Sequence, residues 1–338
     1  MQFTTRLTNN LDQLIFPLPV CGRIQWESVA VGHETAASAW RTVVNLPDIP
    51  KQHIVVPSFA CLTKDYQYQW SLHSQEPAET STLTPVAPAS IDPWQGFTAP
   101  TLSTKHILAK IDCWHTGSNG EGLQAELVLY LPKSLAPPEN DLLTLSIRPI
   151  EQDAGILGLP TDAVVLEQPV PVSQMQAQPE IAKRICSPTA TTMAVAGQDA
   201  ATLWSDAVDA CYDPNTKAYG KWPLAIYWAS QQQRLGAVEA LASWQEAEAV
   251  LRSGAPIVCS IRFAKGTLPG APLTQSGGHL VVLYGIEFEQ NEGFALVMDP
   301  AGETTDHVAQ RYPLRAFSDA WMTHRGGAYL FGSGTMRS

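Results

Sequence analysis

The pattern of apolar and polar positions divides the chain into two halves of different character. In the first 150 residues, short runs rich in β-branched and aromatic residues are separated by clusters of Pro, Gly, Asn and Ser. Residues 123–131 alternate apolar with polar side chains, which predicts a strand with one buried face. Many short strands without helical periodicity predict an all-β sandwich over residues 1–150. The predicted strands are residues 39–46, 53–58, 66–73, 107–115, 123–131 and 142–150.

Two segments lack any periodic pattern. Residues 74–93 are rich in Pro, Thr, Ser and Ala, which predicts a long surface loop. Glycine and proline recur through residues 151–172, beginning with Gly155 and ending with Pro171. Because these residues interrupt helices and strands alike, we expect a linker that runs into an extended segment.

The second half of the chain combines helices with short apolar strands. Ser187 and Pro188 suit the start of a helix, since serine caps helices and proline tolerates the first helical position. Ser243 and Glu246 have the spacing of a capping box, and Gly254 is placed to end the helix that follows. Helices followed by an antiparallel sheet predict an α+β domain. The predicted strands are residues 256–263, 279–288 and 294–299.

The last two of these strands form a predicted hairpin around a turn at residues 289–293. In an antiparallel pair, the first residue of one strand lies near the last residue of the other. His279 begins the first strand and Asp299 ends the second, so we expect their side chains to lie side by side at one end of the sheet. A carboxylate beside an imidazole fixes the tautomer of the ring and stabilises its charged form.

Cys186 stands at the start of the helix predicted from Ser187 onward. The N-terminus of a helix carries partial positive charge, which lowers the pKa of a thiol. A thiolate that faces an imidazole is an activated nucleophile. A helix-start cysteine, followed by histidine and acid on successive strands, therefore indicates thiol chemistry with Cys186 as nucleophile and His279 as general base.

Composition and charge narrow the partners of the chain. The 338 residues suffice for two domains. A composition of 45% hydrophobic and 16% charged residues is typical of an ordered globular protein. A net charge of −11 repels phosphate backbones and anionic lipids, which disfavours nucleic-acid and membrane partners. The sequence has no apolar stretch of membrane-spanning length and no secretory-signal pattern at its start. The six cysteines lack paired short spacings, so we expect reduced thiols in the cytoplasm.

Seven sequence blocks carry a resemblance to a known family, in the order of that family and at compatible spacings. They are VPVSQ at 170–174, CSPT at 186–189 with Met193, GKWP at 220–223, GAPIVCS at 254–260, GHLVV at 278–282, DPA at 299–301, and Phe317 with Trp321. On these blocks the chain resembles the bacterial cysteine peptidases related to the bacteriocin-processing, double-glycine-leader peptidases, within the papain-like superfamily. It looks like a two-domain branch of that group with an N-terminal β-domain.

The resemblance implies a papain-like cysteine peptidase domain at residues 173–338 that acts on peptides or proteins and needs no cofactor or metal. It implies Cys186 as nucleophile, His279 as base and Asp299 as the orienting acid, with amide hydrolysis through a thioester. It also suggests the side chain of Gln174 as a donor to the oxyanion.

Two departures from the family pattern bear on the site. The gap between Gln174 and Cys186 is longer than in compact members, and Gln176 and Gln178 lie nearer to the cysteine. In the GKWP block, the asparagine expected two residues after the proline is replaced by Ala225. If this region lines the cleft, the substrate preference differs from that of close relatives.

Other interpretations stay open. The same residues suit a catalytically inactive homologue that binds peptides, or a cysteine amidase or acyltransferase with a non-protein substrate. The N-terminal sandwich can be a targeting or glycan-binding module, or a cover for the cleft. Residues 112–115 fit a strand interior better than a metal site. The other five cysteines and Trp222, Trp228 and Trp244 are predicted to lie in the core.

Overall fold

The computed structural model describes residues 1–30, 37–75, 78–87, 101–133, 135–153 and 158–332. The first half is built from strands, as the alternation of its sequence predicts. The strands described there are β1 (Phe3–Leu7), β2 (Glu27–Val29), β3 (Ala37–Asn45), β4 (His53–Cys61), β5 (Gln67–Ser74), β6 (Glu79–Thr82), β7 (Ile107–Ala109), β8 (Trp114–Thr116), β9 (Gln124–Pro132) and β10 (Asp141–Pro149).

These strands form two antiparallel sheets of five strands each within the described ranges. One sheet has the order β1-β10-β4-β8-β7 and the other the order β2-β3-β9-β5-β6. The sheets share an apolar core, in which the ring of Phe59 on β4 lies 5.5 Å from the ring of Tyr68 on β5. Buried and half-exposed side chains alternate along β9, because only one face of its sheet is covered.

The strand predictions for the first half are confirmed for five of the six runs. The sixth prediction, a single strand at 107–115, is wrong. This run is a hairpin of β7 and β8, and the Lys110 N–H closes its turn by donating to the Cys113 carbonyl at 2.8 Å. An apolar run can fold back on itself wherever a short turn fits, and periodicity does not register such a break.

The surface loop predicted at 74–93 is also wrong in part. Residues Glu79–Thr82 pair with β5 as the edge strand β6. The side chains of β6 are all polar, so the strand carries no apolar signal in the sequence. Residues 76–77 and 88–93 of this prediction lie outside the described residues.

The second half places helices against one antiparallel sheet of seven strands, counted over the described residues. The sheet has the order β12-β17-β13-β14-β15-β16, and β11 pairs with β14. β11 comes from the segment predicted as a linker, of which Gly155 lies outside the described part of the chain. The helices are α1 (Pro179–Ala182), α2 (Cys186–Val195), α3 (Ala200–Ala210), α4 (Trp222–Gln231), α5 (Trp244–Arg252) and α6 (Leu314–Trp321); the strands are β11 (Val164–Val165), β12 (Gly236–Ala240), β13 (Ile257–Phe263), β14 (Ser276–Glu289), β15 (Glu292–Met298), β16 (Ala309–Pro313) and β17 (Gly327–Phe331).

The capping box predicted for α5 is confirmed. Ser243 Oγ accepts a hydrogen bond from the Glu246 N–H at 3.4 Å, while the Glu246 carboxylate accepts one from the Ala242 N–H at 2.7 Å. Gly254 follows the helix with a φ of +89°, a left-handed conformation that glycine adopts without steric cost. Side-chain caps thus define where this helix begins, and a glycine defines where it ends.

The start of α2 differs from the prediction. The helix begins at Cys186, one residue earlier than expected, and Ser187 lies inside its first turn instead of capping it. The Ser187 hydroxyl pairs with the Tyr329 hydroxyl on β17 at 2.9 Å. Pro188 is tolerated there because the first N–H groups of a helix have no partner within the helix. A buried tertiary contact has replaced the cap that the sequence suggests.

The hairpin of β14 and β15 is confirmed, with a tighter turn than predicted. Glu289 pairs with Glu292, which leaves Gln290 and Asn291 as the two turn residues. Both have positive φ, +50° and +69°, as a type I′ turn requires. The turn matches the twist of the two strands and fixes their register.

The two halves pack together through β4 and β10, which are buried on both faces. Their inner face covers the core between the first two sheets, and their outer face packs against β12. On that outer face, Ser58 Oγ accepts from the Val238 N–H at 2.9 Å, and Ser146 Oγ accepts from the Ala240 N–H at 2.8 Å. The apolar core therefore continues from one half of the molecule into the other.

Two buried arginines of the first half also reach into the second half. Arg6 donates two hydrogen bonds to the Glu239 carboxylate, at 2.8 and 2.6 Å. Arg148 donates to the carbonyl oxygens of Leu241 and Met322, at 2.5 and 2.6 Å. A buried cation is stable only with such partners, so these contacts fix the position of one half relative to the other.

The described helices include none that is long and apolar enough to cross a membrane. All six cysteines are free thiols, as their spacing predicts. The prediction of a buried position is wrong for Cys21, which is exposed beside β1, where its thiol donates to the Arg6 carbonyl at 3.2 Å. Cys61, Cys113, Cys211 and Cys259 are buried as predicted.

Candidate active site

Cys186 is the first residue of α2, and its side chain is only partly buried. The helix packs against β14, β13 and β17, and eight of the nine residues that follow Cys186 in it are buried. The Ser187–Tyr329 hydrogen bond anchors the first turn to β17. The thiol is thus held at the positive end of a rigid helix, in a place that solvent can reach.

His279 and Asp299 meet at one end of the hairpin. His279 lies three residues inside β14, and Asp299 follows the last residue of β15. The His279 Nε2 atom lies 2.7 Å from Asp299 Oδ1, and the two side chains are buried. Because a carboxylate only accepts, Nε2 carries the proton, and Nδ1 is the ring nitrogen left for the Cys186 thiol. The thiol and the imidazole are hydrogen-bonded to each other.

Asp299 is held by two further donors that the sequence did not reveal. The Ala301 N–H donates to Oδ1 at 2.9 Å, and the Tyr312 hydroxyl donates to Oδ2 at 2.7 Å. Tyr312 is fully buried on β16, opposite Ala295 of β15. No sequence motif links the tyrosine to the acid, since only the register between β15 and β16 brings them together.

The electrostatics of the three side chains favour an ion pair. Burial raises the pKa of the Cys186 thiol, but its hydrogen bond to His279 and the charge of that ring bring the pKa below its usual value. Burial lowers the pKa of His279, yet the charge and hydrogen bond of Asp299 raise it to about 10. Burial raises the pKa of Asp299, and the charge of His279 more than offsets this. These shifts favour a thiolate beside an imidazolium, with the carboxylate of Asp299 as the counter-charge.

The backbone of β14 adds a donor at the sulfur. The Leu280 N–H donates a hydrogen bond to Cys186, which stabilises the thiolate form. Sequence reasoning could not have found this group, because a backbone amide leaves no signature in residue type.

Gln174 lies in a short 3-10 helix that contacts two other segments of the site: Pro300, which follows Asp299, and Ala182, which ends α1 shortly before α2. Its backbone N–H donates to the Pro300 carbonyl at 2.9 Å, and its side-chain Nε2 donates to the Ala182 carbonyl at 2.6 Å. The side chain is buried, and its Oε1 atom has no hydrogen-bond partner among the described residues. An amide nitrogen has two N–H groups, so one donor of Gln174 remains after the contact with Ala182.

An open pocket of about 850 Å³ lies directly beside Cys186. From the second half, Gly278, Leu280, Ser260 and Trp222 line this pocket around the cysteine. Trp222 is therefore both a core residue, as predicted, and part of the pocket wall. Gly277 and Gly278 are exposed, and no heavy atom lies within 4 Å of where their Cβ atoms would be, so the approach to Leu280 is unobstructed.

The first half of the chain supplies the facing wall of this pocket. Its turn at residues 110–113, between β7 and β8, lines the pocket together with His115. Asp112 Oδ2 accepts a hydrogen bond from the Trp222 N–H at 3.1 Å, which places the carboxylate at the first residue of α4. This contact joins residues far apart in sequence, and the run 107–115 gave no sign of it because it was predicted as a strand.

The described residues contain no cluster of three or more His, Cys, Asp or Glu side chains placed to hold a metal ion.

Residues 168–329 match the Peptidase_C39 like family. The match spans most of the second half, from just before Gln174 to β17, and includes Cys186, His279 and Asp299. The second half is therefore a peptidase-like domain, similar to the C39-like cysteine peptidases, and the match supports a hydrolase that acts on peptide or protein substrates. No curated protein matches the chain.

Proposed function

We propose that the chain is a cysteine peptidase in which Cys186 is the nucleophile, His279 transfers the proton and Asp299 orients the imidazole. The observation that carries this proposal is the buried 2.7 Å contact between His279 and Asp299, with the Cys186 thiol hydrogen-bonded to the same ring at the edge of an open pocket. Covalent acyl transfer requires a nucleophile in contact with a base, and a third group that contacts the base and orients it.

The reaction proceeds in two halves. The Cys186 sulfur attacks the carbonyl carbon of a peptide bond, and a C–S bond forms as the carbonyl oxygen becomes an oxyanion. The C–N bond then breaks, and His279 gives its proton to the leaving amine. In the second half, His279 takes a proton from water, the hydroxide attacks the thioester, and the C–S bond breaks to release the acid.

The oxyanion needs donors close to Cys186. We assign this role to the backbone N–H of Cys186 and to the remaining side-chain N–H of Gln174. One such donor contributes roughly 10²–10³ in rate when it is aimed at the developing charge. The buried, tethered position of Gln174 supports this role, because a donor that is already oriented costs no reorganisation during the reaction.

For the whole chain we propose a papain-like peptidase domain at residues 173–338, an accessory β-sandwich at residues 1–150 and a connecting segment at 151–172. The packing of two five-stranded sheets around one core supports the sandwich. The helix that carries Cys186 and packs on an antiparallel sheet that carries His279 supports the papain-like domain.

The test is selective alkylation of the full chain followed by peptide cleavage. With limiting iodoacetamide at neutral pH, we expect Cys186 to be labelled faster than the other cysteines, as located by peptide mass spectrometry. The His279→Ala variant should slow the labelling of Cys186 and leave the exposed Cys21 unchanged, which makes Cys21 an internal control.

Cleavage separates a peptidase from the alternatives. Incubation with a mixed peptide library should yield new termini with the wild type and none with Cys186→Ala. Selective labelling of Cys186 with turnover of small amides alone would favour an amidase or acyltransferase. Equal labelling of Cys186 and Cys21 would contradict an activated thiolate and favour an inactive homologue that binds peptides.

A further inference from the structure

The pocket beside Cys186 differs in charge from the molecule as a whole. The chain has 32 acidic and 21 basic residues, and its net charge is −11. Yet four cationic side chains line this pocket, against one carboxylate, that of Asp112. The cations are Lys110, Lys183, Arg184 and Arg325. The contrast between a positive pocket and a negatively charged protein raises the question of which ligand the pocket binds.

Direct ion pairs within the described residues do not neutralise these four cations. Within the described part of the chain, none of the four cations has a carboxylate oxygen within 4.0 Å. Arg184 donates to the Lys217 carbonyl and faces the ring of Tyr219 at 5.7 Å, and Arg325 lies 5.9 Å from the ring of Trp222. These contacts hold the two guanidinium groups in place and leave their charge intact.

The one carboxylate in the pocket wall is already engaged. Asp112 accepts the Trp222 N–H at the start of α4, where the partial positive charge of the helix also favours it. Burial raises the pKa of Asp112 to about 6, against the opposing charge of Arg325, so the carboxyl is still mostly ionised at neutral pH. Asp112 therefore joins the walls of the pocket and offsets one of the four cations, which leaves the pocket with an excess of positive charge.

The cations surround the nucleophile from both halves of the molecule. Lys183 and Arg184 lie three and two residues before Cys186 in the chain, whereas Lys110 belongs to the turn between β7 and β8. Lys110 and Arg325 also act together on the opposite wall. Burial lowers the pKa of His115 to about 4, and both of these charges contribute to the shift.

We propose that this pocket binds acidic side chains of the peptide substrate, aspartate or glutamate close to the scissile bond, through Lys110, Lys183, Arg184 and Arg325. The inference rests on the proposed peptidase function and names the substrate class of that same site. It gives the first half of the chain a direct part in substrate selection, since Lys110 stands in its wall. The anionic surface of the protein repels an acidic peptide, whereas the cations of this pocket attract its acidic side chains close to the nucleophile.

The test is a binding measurement on the full chain carrying Cys186→Ala, which separates recognition from turnover. The probes are fluorescein-labelled decapeptides of one sequence with three central Glu residues, or with the same positions as Gln, each with a free or an amidated C-terminus. We expect the Glu peptides to bind at least tenfold tighter than the Gln peptides, with either C-terminus, and to lose affinity as salt is raised.

Charge-removing variants locate the effect. Lys110→Gln, Lys183→Gln and Arg325→Gln should each weaken binding of the Glu peptides about two- to fivefold, the range expected for one solvent-exposed ion pair. Binding of the Gln peptides should not change. Arg315→Gln and Lys133→Gln are the matched controls, because both residues are exposed and neither lines the pocket. These two changes should leave both affinities as they were.

Two outcomes would overturn the inference. Equal affinity for Glu and Gln peptides removes the charge preference, and a preference that follows the free C-terminus instead of the Glu side chains assigns the pocket to a terminal carboxylate. Cleavage by the wild type separates this inference from the proposed function. Cleavage of Glu and Gln peptides at equal efficiency leaves the peptidase intact and contradicts the acidic preference. Tight binding of the Glu peptides without any cleavage contradicts the peptidase and supports the pocket.

Discussion

Two buried ion pairs in this molecule have opposite surroundings. Arg6 and Glu239 join the two halves, and two hydrogen bonds connect the guanidinium and the carboxylate directly. His279 and Asp299 are equally buried, but the far side of the imidazole faces a thiol beside an open pocket. Burial of opposite charges therefore does not by itself identify chemistry. A third, reactive partner with access to solvent distinguishes the second pair from the first.

The energetics of the two pairs should differ accordingly. Removing two charges from water is costly, and their attraction repays this only with good geometry. Burial raises the pKa of Glu239 by more than the charge of Arg6 offsets, whereas for Arg6 the charge of Glu239 outweighs burial and raises the pKa, so burial and attraction act against each other in this pair. For the His279–Asp299 pair, burial likewise opposes the charged imidazole, but the charge and hydrogen bond of Asp299 outweigh it, and the charged imidazole in turn lowers the pKa of the thiol.

The largest expected effect is on activity. Cys186→Ala should reduce peptide hydrolysis by roughly 10⁶-fold, the scale of removing a nucleophile from a catalytic triad. The melting temperature should change little, because the side chain is only partly buried and alanine retains most of its contacts. Initial rates on a cleaved library peptide and differential scanning calorimetry check the two parts. A large fall in melting temperature would show that the Cys186 side chain contributes substantially to the stability of the fold.

The second expected effect is on stability at the interface pair. Arg6→Ala leaves the Glu239 carboxylate buried without its partner, and should lower the free energy of unfolding by about 3–5 kcal/mol. Hydrolysis per folded molecule should stay unchanged, since Arg6 does not line the pocket. Urea unfolding monitored by tryptophan fluorescence measures the loss.

The double variant Arg6→Met/Glu239→Leu is the control for this prediction. It removes both charges and should recover most of the lost stability, as an apolar pair of similar volume does in place of a buried ion pair. A double variant that is as unstable as Arg6→Ala would show instead that the pair itself stabilises the interface.

The third effect is a pH dependence of thiol reactivity. The rate of alkylation of Cys186 should rise with pH through an inflection below 9, the usual thiol value, because His279 stabilises the thiolate. Hydrolysis should fall again as pH approaches about 10, where His279 loses the proton that it gives to the leaving amine. In His279→Ala, the alkylation inflection should move upward. An inflection that is the same in both proteins would separate the thiol from the imidazole.

The smallest effect is expected at Tyr312. Tyr312→Phe removes one hydrogen bond from Asp299 and keeps the ring, so the pKa of Asp299 should rise toward its usual value. The stability that the ionised Asp299 contributes is present above its unfolded pKa and is lost as pH falls, so the variant should lose stability and activity at a higher pH than the wild type. At neutral pH we expect about a tenfold lower kcat, the scale of a hydrogen bond to a charged group. Activity profiles between pH 3 and 7 test this, and overlapping acid limbs would contradict it.

The sequence was sufficient where a signal is local. The alternation along β9, the capping box at Ser243 and the hairpin that brings His279 to Asp299 all follow from residue type and spacing. The hairpin is informative because a short turn fixes the register of both strands, and register determines which side chains meet.

The rest of the site depends on contacts between distant segments. Tyr312 reaches Asp299 through the pairing of β15 with β16, and Asp112 reaches α4 from the other half of the chain. Neither residue type is unusual at its position, so periodicity carries no trace of these contacts. The turn at 110–113 was missed for a related reason, since its flanking residues read as one apolar run.

The double-sided burial of β4 and β10 has a consequence for synthesis of the protein on the ribosome. Both strands are complete by residue 149, but β12, which covers their outer face, ends at residue 240 and lies between these strands and β17, which ends at residue 331. At about 5–20 residues per second, the nascent chain exposes this face for some seconds or longer, with Ile54 and Val56 uncovered and Ser58, Ser146 and Arg148 without their partners from the second half. We expect fragments that stop before β12 to need a chaperone or to aggregate, so that the first half is a poor choice for expression alone.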